Sequence, residues 1–508
     1  MDYVLKKRAL CSTQEILDTV LQQAVDLDFT LPDYCPDIEK ILKCSLVPKI
    51  YTRSLSAGQL RIDGASVVRV LYCDSQKNAL RCCEQTLPFS ATVPVNSDIP
   101  ENIILTTAKP EYLNCRALSQ RRLSVHGAFS LYASVIGKKI FDVFEEAEDS
   151  CLQIKCENKE VCELCEFTQE QLSINESVSI SAKNNIETIV RSQLTALVTD
   201  YKESGDKLIL SGEITLRMLY VCDSMTGETD QFIYVFPFTQ SIGALVQGCD
   251  IADVRLDVLC YDLMLRSEML SEEPLLNIDV KLCASFLGYK KQSLTYISDA
   301  YSVKDNTELS FEAVPLCCDI LSVVADGVVK APVSLGDKNV RKIIDIFCEE
   351  PSLTVSISDN IAQFKGKANV CIIALTEGDE LICVERPVDI DVSHTLDKTY
   401  GYAKNPAAQI TSLSFRMSDN NQLELRLDMR LSALLGTVEA INQVTEAKKT
   451  GEADFDNNCA LTLYYARGGE RVWDIAKAYK TPIESICSEN SLCDELLSED
   501  RMLLILRA

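Results

Sequence analysis

Two imidazoles, His126 and His394, are all the chain offers for acid–base work near neutral pH. They stand in unrelated surroundings, RRLSVHGAF and DVSHTLD, with nothing to draw them into one site. A nucleophile–His–Asp arrangement or a histidine metal site needs its members together, so neither is read as catalytic. Of the 23 cysteines, only Cys151, Cys156, Cys162 and Cys165, ending in CELC, form a dense cluster. Four thiolates can hold Zn²⁺, but structural sites use two closely spaced pairs, and here the first pair is spaced CxxxxC. These thiols are read as strand or linker residues, and no metal is expected. There is no GxxxxGK[ST] loop and no GxGxxG after a strand. No pair of carboxylates stands out. The chain is read as having no catalytic residue and no cofactor, hence as no enzyme.

The remaining constellation lies near the C-terminus, in YYARGGERVWDIAKAYKTPIESICSENSL. It holds Trp473, the only tryptophan. CALTLYYA has a strand pattern. GGE is a turn before a helix that sets Val472, Ile475, Ala476 and Tyr479 on one face. Pro482 can begin a second helix, and RMLLILR closes as a strand. The result is a βααβ module with antiparallel strands. Trp473 is expected to pack in its small core, and Asn490 to cap or turn the backbone after the second helix.

The 458 residues before it must position that module, and most of them read as strand. The 508-residue chain is 47% hydrophobic with net charge −25, enough to build real cores behind an acidic surface. Such a surface repels nucleic acid and anionic membranes. The N-terminus has no signal-peptide pattern, and no run approaches a membrane span. A cytosolic protein is expected. The chain also repeats itself. Ile41, Ile189 and Ile343 correspond, as do Gly64, Gly212 and Gly366, and Leu71, Leu219 and Ile373, always at offsets of 148 and 154 residues. Second blocks end in LYASVIG, LCASFLG and LSALLG. Alternating β-branched runs between Gly, Asn and Asp predict sandwich- or barrel-like β units. IEKILK and IETIVR read equally as helix or strand. Residues 144–166 read as an acidic linker and 445–458 as a polar tether, so the last module should fold alone.

FTLPDYCPDIEKILKC, residues 29–44, resembles the opening signature of the SPOCS domain of spore-coat morphogenetic proteins from endospore-forming bacteria. Leu31, Pro32, Pro36, Asp37, Ile38 and Glu39 carry the match. The C-terminal stretch resembles LysM, through Gly469, Glu470, Arg471, Val472, Trp473, Ile475, Ala476, Tyr479 and Asn490. The expected architecture is mainly β: SPOCS-like units over 1–145, 146–305 and 306–444, a linker over 445–458 and a LysM domain over 459–508. The resemblance implies a scaffold in the mother-cell cytosol at the forespore surface, docked on the coat basement-layer ATPase and recruiting coat proteins. LysM domains usually bind N-acetylglucosamine chains, so peptidoglycan or its lipid-linked precursor is the alternative ligand. In either case the resemblance implies a site in two loops, Gly468, Gly469, Glu470 and Arg471 on one side and Asn490, Ser491 and Leu492 on the other. Arg471 replaces a small hydroxyl residue and Lys480 a glycine. Together they should form a cationic rim suited to an acidic patch on a partner.

Overall fold

The computed structural model describes residues 2–75, 79–95, 101–180, 186–223, 226–266, 274–349, 351–418, 421–452 and 461–506. The first part is β1 (Asp2–Tyr3), β2 (Leu5–Thr30), β3 (Ile38–Ser56), β4 (Gln59–Asp74), β5 (Leu80–Pro94), β6 (Asn102–Ala117) and β7 (Arg122–Ala147). Strands β3, β4 and β5 form an antiparallel meander, and β2, β7 and β6 a second sheet in that order. Alternate residues of the two sheets close one core, with Leu60, Ile62, Tyr72, Leu123 and Phe129 fully buried. The β3–β4 hairpin turns on Ala57 and Gly58, both with positive φ (50° and 68°), as the right-handed twist of such hairpins requires.

The same order of strands occurs twice more. Next come β8 (Leu152–Ser179), β9 (Thr188–Ser204), β10 (Lys207–Asp223), β11 (Glu228–Gly243), β12 (Ile251–Arg266) and β13 (Leu275–Ser302). They form the sheets β9–β10–β11 and β8–β13–β12 about a second core. The third set is β14 (Asp305–Ser334), β15 (Val340–Cys348), β16 (Ser352–Ser358), β17 (Ile361–Thr376), β18 (Leu381–Thr395), β19 (Tyr402–Ser418) and β20 (Gln422–Glu452). Here the strand that is continuous as β3 and β9 is split into β15 and β16 around Pro351, which has no N–H for a ladder. None of these sheets closes into a barrel, so the sandwich half of the expectation holds and the barrel half does not.

Two segments read as linkers are strand. Residues 144–147 end β7, and 152–166 begin β8, which pairs with β13 along its length. Their acids sit at exposed or half-exposed positions while Leu152, Val161, Cys162 and Leu164 are buried. Residues 445–452 continue β20 and pair with β14, with Val444 and Ala447 fully buried; the rest of that tether, 453–458, lies outside the described residues. IEKILK and IETIVR are strand as well, in β3 and β9.

Gly64, Gly212 and Gly366 share one setting. A Cβ on Gly64 would lie 2.1 Å from the Lys49 carbonyl and 2.6 Å from the Phe89 ring; on Gly212, 2.1 Å from the Leu197 carbonyl and 2.6 Å from the Phe238 ring. On Gly366 it would lie 1.9 Å from the Ser352 carbonyl. Gly64 and Gly212 each stand at a bulge in the neighbouring strand, which brings that carbonyl close. Gly212→Ala should therefore cost about 2–3 kcal/mol through forced overpacking, seen as a lower urea midpoint; an unchanged midpoint would contradict the clash.

The three sandwiches share buried surfaces. Leu71, Leu219 and Ile373, aligned from the sequence, meet in one cluster with Cys73, Val190, Val221 and Leu381. A second common cluster joins Leu10 and Val143 to Val161, Leu294 and Tyr296 and to Val314, Leu316 and Ile441. The N-terminus closes the arrangement: β1 pairs with β20, and the Tyr3 hydroxyl meets Ser302 Oγ at 2.6 Å and donates to Asp305 Oδ2 at 2.7 Å. The position two residues after each aligned isoleucine is charged and buried: Lys43, Arg191 and Asp345. Arg191 Nε donates to Asp345 Oδ2 at 2.7 Å, while Lys43 reaches Glu349 and Glu385, both at 2.8 Å. Unlike charges at equivalent places thus pair across the sandwiches rather than repel.

Candidate functional site

The C-terminal module is β21 (Leu461–Ala466), α1 (Val472–Tyr479), α2 (Ile483–Glu489) and β22 (Arg501–Leu506), with the two strands paired antiparallel. The chain turns at Gly469, whose φ of +93° suits glycine. Arg471 is the extended residue before α1. Val472, Trp473, Ile475 and Ala476 are buried in α1, Ile486 in α2, and Leu503 and Ile505 in β22. Tyr464 and Tyr479 meet edge to face, their ring centroids 5.5 Å apart.

This core also takes in residues of the body, a contact the expectation of a tethered module did not include. Tyr301, at the end of β13, belongs to it: its ring lies T-shaped against Trp473 at 5.0 Å, and its hydroxyl donates to the Thr481 carbonyl at 2.8 Å. Asp299 sits just past a bulge in β13. It accepts from Trp473 Nε1 at 2.9 Å and from Lys477 Nζ at 2.6 Å. Burial pushes the Asp299 carboxyl up, but the Lys477 and Trp473 hydrogen bonds outweigh it and hold the group below its ordinary value. Lys480 Nζ donates to Asn306 Oδ1 and lies 3.5 Å from the Asp305 carbonyl. Lys480 also has φ +51°, a left-handed conformation that disfavours side chains by roughly 1–2 kcal/mol. Its side chain is held against the body at that position.

Asp299→Ala should loosen this seat by about 1–2 kcal/mol, the Lys477 part discounted because that side chain is 40% exposed. The emission of Trp473, the only tryptophan, should shift to the red. Because the folded-state value is lowered, the contact contributes fully above about pH 4, the unfolded value, and is lost as pH falls through the folded value. Wild-type emission should therefore be flat through neutral pH and change only in acid. A red shift near pH 7 in the wild type would contradict the assignment.

The loop residues singled out from the sequence are only partly together at the surface. Gly469 N donates to the Leu497 carbonyl at 2.7 Å, Val472 N to Glu495 at 2.8 Å, and Leu497 N to Glu470 at 3.0 Å. Arg471 bridges Leu496. Gly468 N donates to Asp500 Oδ1 at 2.8 Å, and Glu470 accepts from the Tyr464 hydroxyl at 3.1 Å. The two loops thus spend much of their backbone on each other. Asn490 turns inward: Nδ2 donates to the Ile486 and Leu504 carbonyls, Oδ1 accepts from Leu504 N, and its carbonyl accepts from Arg501. It ties α2 to β22 and is a structural residue. Ser491 is exposed at φ +52°, and Leu492 is half-buried against the core. With Lys480 spent on the body, only Arg471 of the expected cationic rim stays exposed.

Elsewhere, His126 Nδ1 meets Asp26 Oδ1 at 2.5 Å on an open strand surface. His394 pairs across to Ala362 in another sandwich. Cys151 precedes β8, and Cys156, Cys162 and Cys165 are strung along it; a strand rising about 3.3 Å per residue sets Cys156 and Cys165 roughly 30 Å apart. Cys162 Sγ points to the Cys318 carbonyl, and Cys165 Sγ lies 2.8 Å from Cys249 Sγ. Among the described residues no group of three or more His, Cys, Asp and Glu could hold a metal, and no helix is long and apolar enough to cross a membrane.

Nothing local in the chain marks Asp299, Tyr301 or Asn306, which meet the module across some 175 residues. One further feature is legible in the sequence: LTLYYA and RMLLIL are apolar at nearly every position, where a half-buried strand alternates. No curated protein and no solved structure matches the chain. Residues 37–118, which span β3 to β6, match the family model described as SipL, SPOCS domain, and the match supports reading the chain as a SPOCS-domain protein over that stretch.

Proposed function

We propose that this chain is a non-enzymatic scaffold for spore-coat assembly. The observation that carries the reading is the SPOCS-domain match over residues 37–118. Two features support extending it along the chain. The strand order of the matched sandwich recurs in the other two, and Gly64, Gly212 and Gly366 sit in like surroundings. On this reading all three sandwiches are SPOCS units, and the βααβ module is a LysM domain. The scaffold works in the mother-cell cytosol at the forespore surface. Its module docks on the coat basement-layer ATPase, and its units recruit coat proteins. Extensive burial between the sandwiches suits a rigid spacer. The test is binding of the purified full chain to the basement-layer ATPase and, in a second arm, to muropeptides. The scaffold reading expects the ATPase to be retained and muropeptides not. Retention of muropeptides without the ATPase overturns it in favour of a carbohydrate-binding role.

A further inference from the structure

The outer face of the module's sheet is wholly apolar. Leu461, Leu463 and Tyr465 lie directly across from Leu506, Leu504 and Met502, so all six side chains share one face. Leu461, Leu463, Tyr465 and Met502 are 50%, 61%, 60% and 55% exposed. The opposite face, with Leu503 and Ile505, is the one buried in the module's core. A two-stranded sheet that is apolar on both faces is built to be covered on both.

The surroundings say what covers it. From Leu461 to Leu506 the module carries eight carboxylates and five cations. Two of those cations, Lys477 and Lys480, are turned onto the body, and Arg501 donates to the Asn490 carbonyl. What faces outward is an uncharged apolar strip on an acidic module of an acidic chain. A sugar needs several hydrogen-bonding groups, and this face supplies only the Tyr465 hydroxyl. A second copy would bring another net charge of −25 against the first. We propose that this face docks an amphipathic segment of another protein, with an aliphatic or aromatic stripe flanked by lysine or arginine. The stripe would cover the six side chains and the flanking cations would meet the acidic surround. The proposal rests on the docking role given to the module above and places that role on the sheet face instead of the loops.

The test uses the full chain and a labelled synthetic Leu/Lys amphipathic peptide, with a Leu/Glu peptide of the same pattern as control. The variant is Leu463→Thr with Tyr465→Thr, which keeps strand-forming residues and leaves the charge unchanged, so that general attraction of a cationic peptide is retained. Unchanged Trp473 emission verifies that the module stays folded and seated. Wild type should bind the Leu/Lys peptide, more weakly in added salt, and not the Leu/Glu peptide. The variant should bind the Leu/Lys peptide about tenfold more weakly. Equal affinity of wild type and variant overturns the proposal. So does a dimer in sedimentation that salt strengthens and the variant abolishes, which would make a second copy the occupant. Binding to the basement-layer ATPase separates this proposal from the reading beneath it. If removal of residues 461–508 leaves that binding intact, the docking role itself fails. If removal abolishes binding but the double variant retains it, only the assignment to this face fails.

Discussion

Asp345→Ala should destabilise the folded chain by about 3–5 kcal/mol, the usual result of stranding a buried charge. Asp345 is 2% exposed and its partner Arg191 is 7% exposed. Arg191 also donates to Asp345 Oδ1 at 3.3 Å and lies over the Phe347 ring, and Gln231 donates to the same carboxylate. Removing the carboxylate leaves the guanidinium buried between two sandwiches against the Phe347 ring, with Arg217 as a nearby like charge. Arg191→Met combined with Asp345→Leu should recover most of the loss, because an apolar pair of similar volume avoids the desolvation of both charges. Urea unfolding of the two single variants and the pair gives the coupling directly. Additive losses, with no recovery in the double variant, would show that the two residues do not act as a pair. The expected coupling also bears on assembly, because Arg191 and Asp345 belong to different sandwiches and their pair lies in the surface between them.

Trp473→Ala should cost about 3–5 kcal/mol, and the damage should stay within the module. Trp473 is 4% exposed, packed by Val472, Ile475, Ala476 and Tyr301. At roughly 0.05–0.15 kcal/mol per residue, a unit of this size has only about that much stability in total. Hydrogen exchange should therefore show residues 461–506 losing protection while the strands from Leu5 to Glu452 keep theirs. Retained protection in α1 and α2 would mean that Trp473 is no part of the core. Global unfolding would mean that the module holds the sandwiches together.

What could be read from the sequence follows physical range. The turn and helices around Gly469 and Trp473 depend on neighbours in the chain, and the βααβ order was legible there. The aligned glycines were legible because a close backbone approach tolerates nothing larger. The ends of β7 and β8 were not: Glu145, Glu146, Glu157 and Glu160 look like solvent-exposed linker, yet they line strands whose other residues are buried by a neighbouring sandwich. Strands of 26 and 28 residues also far exceed the usual length of about five or six, so pattern reading breaks them too soon. The seat of the module was invisible because Asp299 and Tyr301 have no local mark; only the folded chain brings them to Lys477, Trp473 and Thr481. Lys480 is no rim charge for the same reason: its partner, Asn306, is distant in the chain.

The scaffold reading is tested most directly by the position of the chain in sporulating cells. A fluorescent fusion of the full chain should form a ring around the forespore, and removal of residues 461–508 should leave the signal diffuse in the mother cell. A diffuse signal from the full chain, or a ring that persists without the module, would contradict the account.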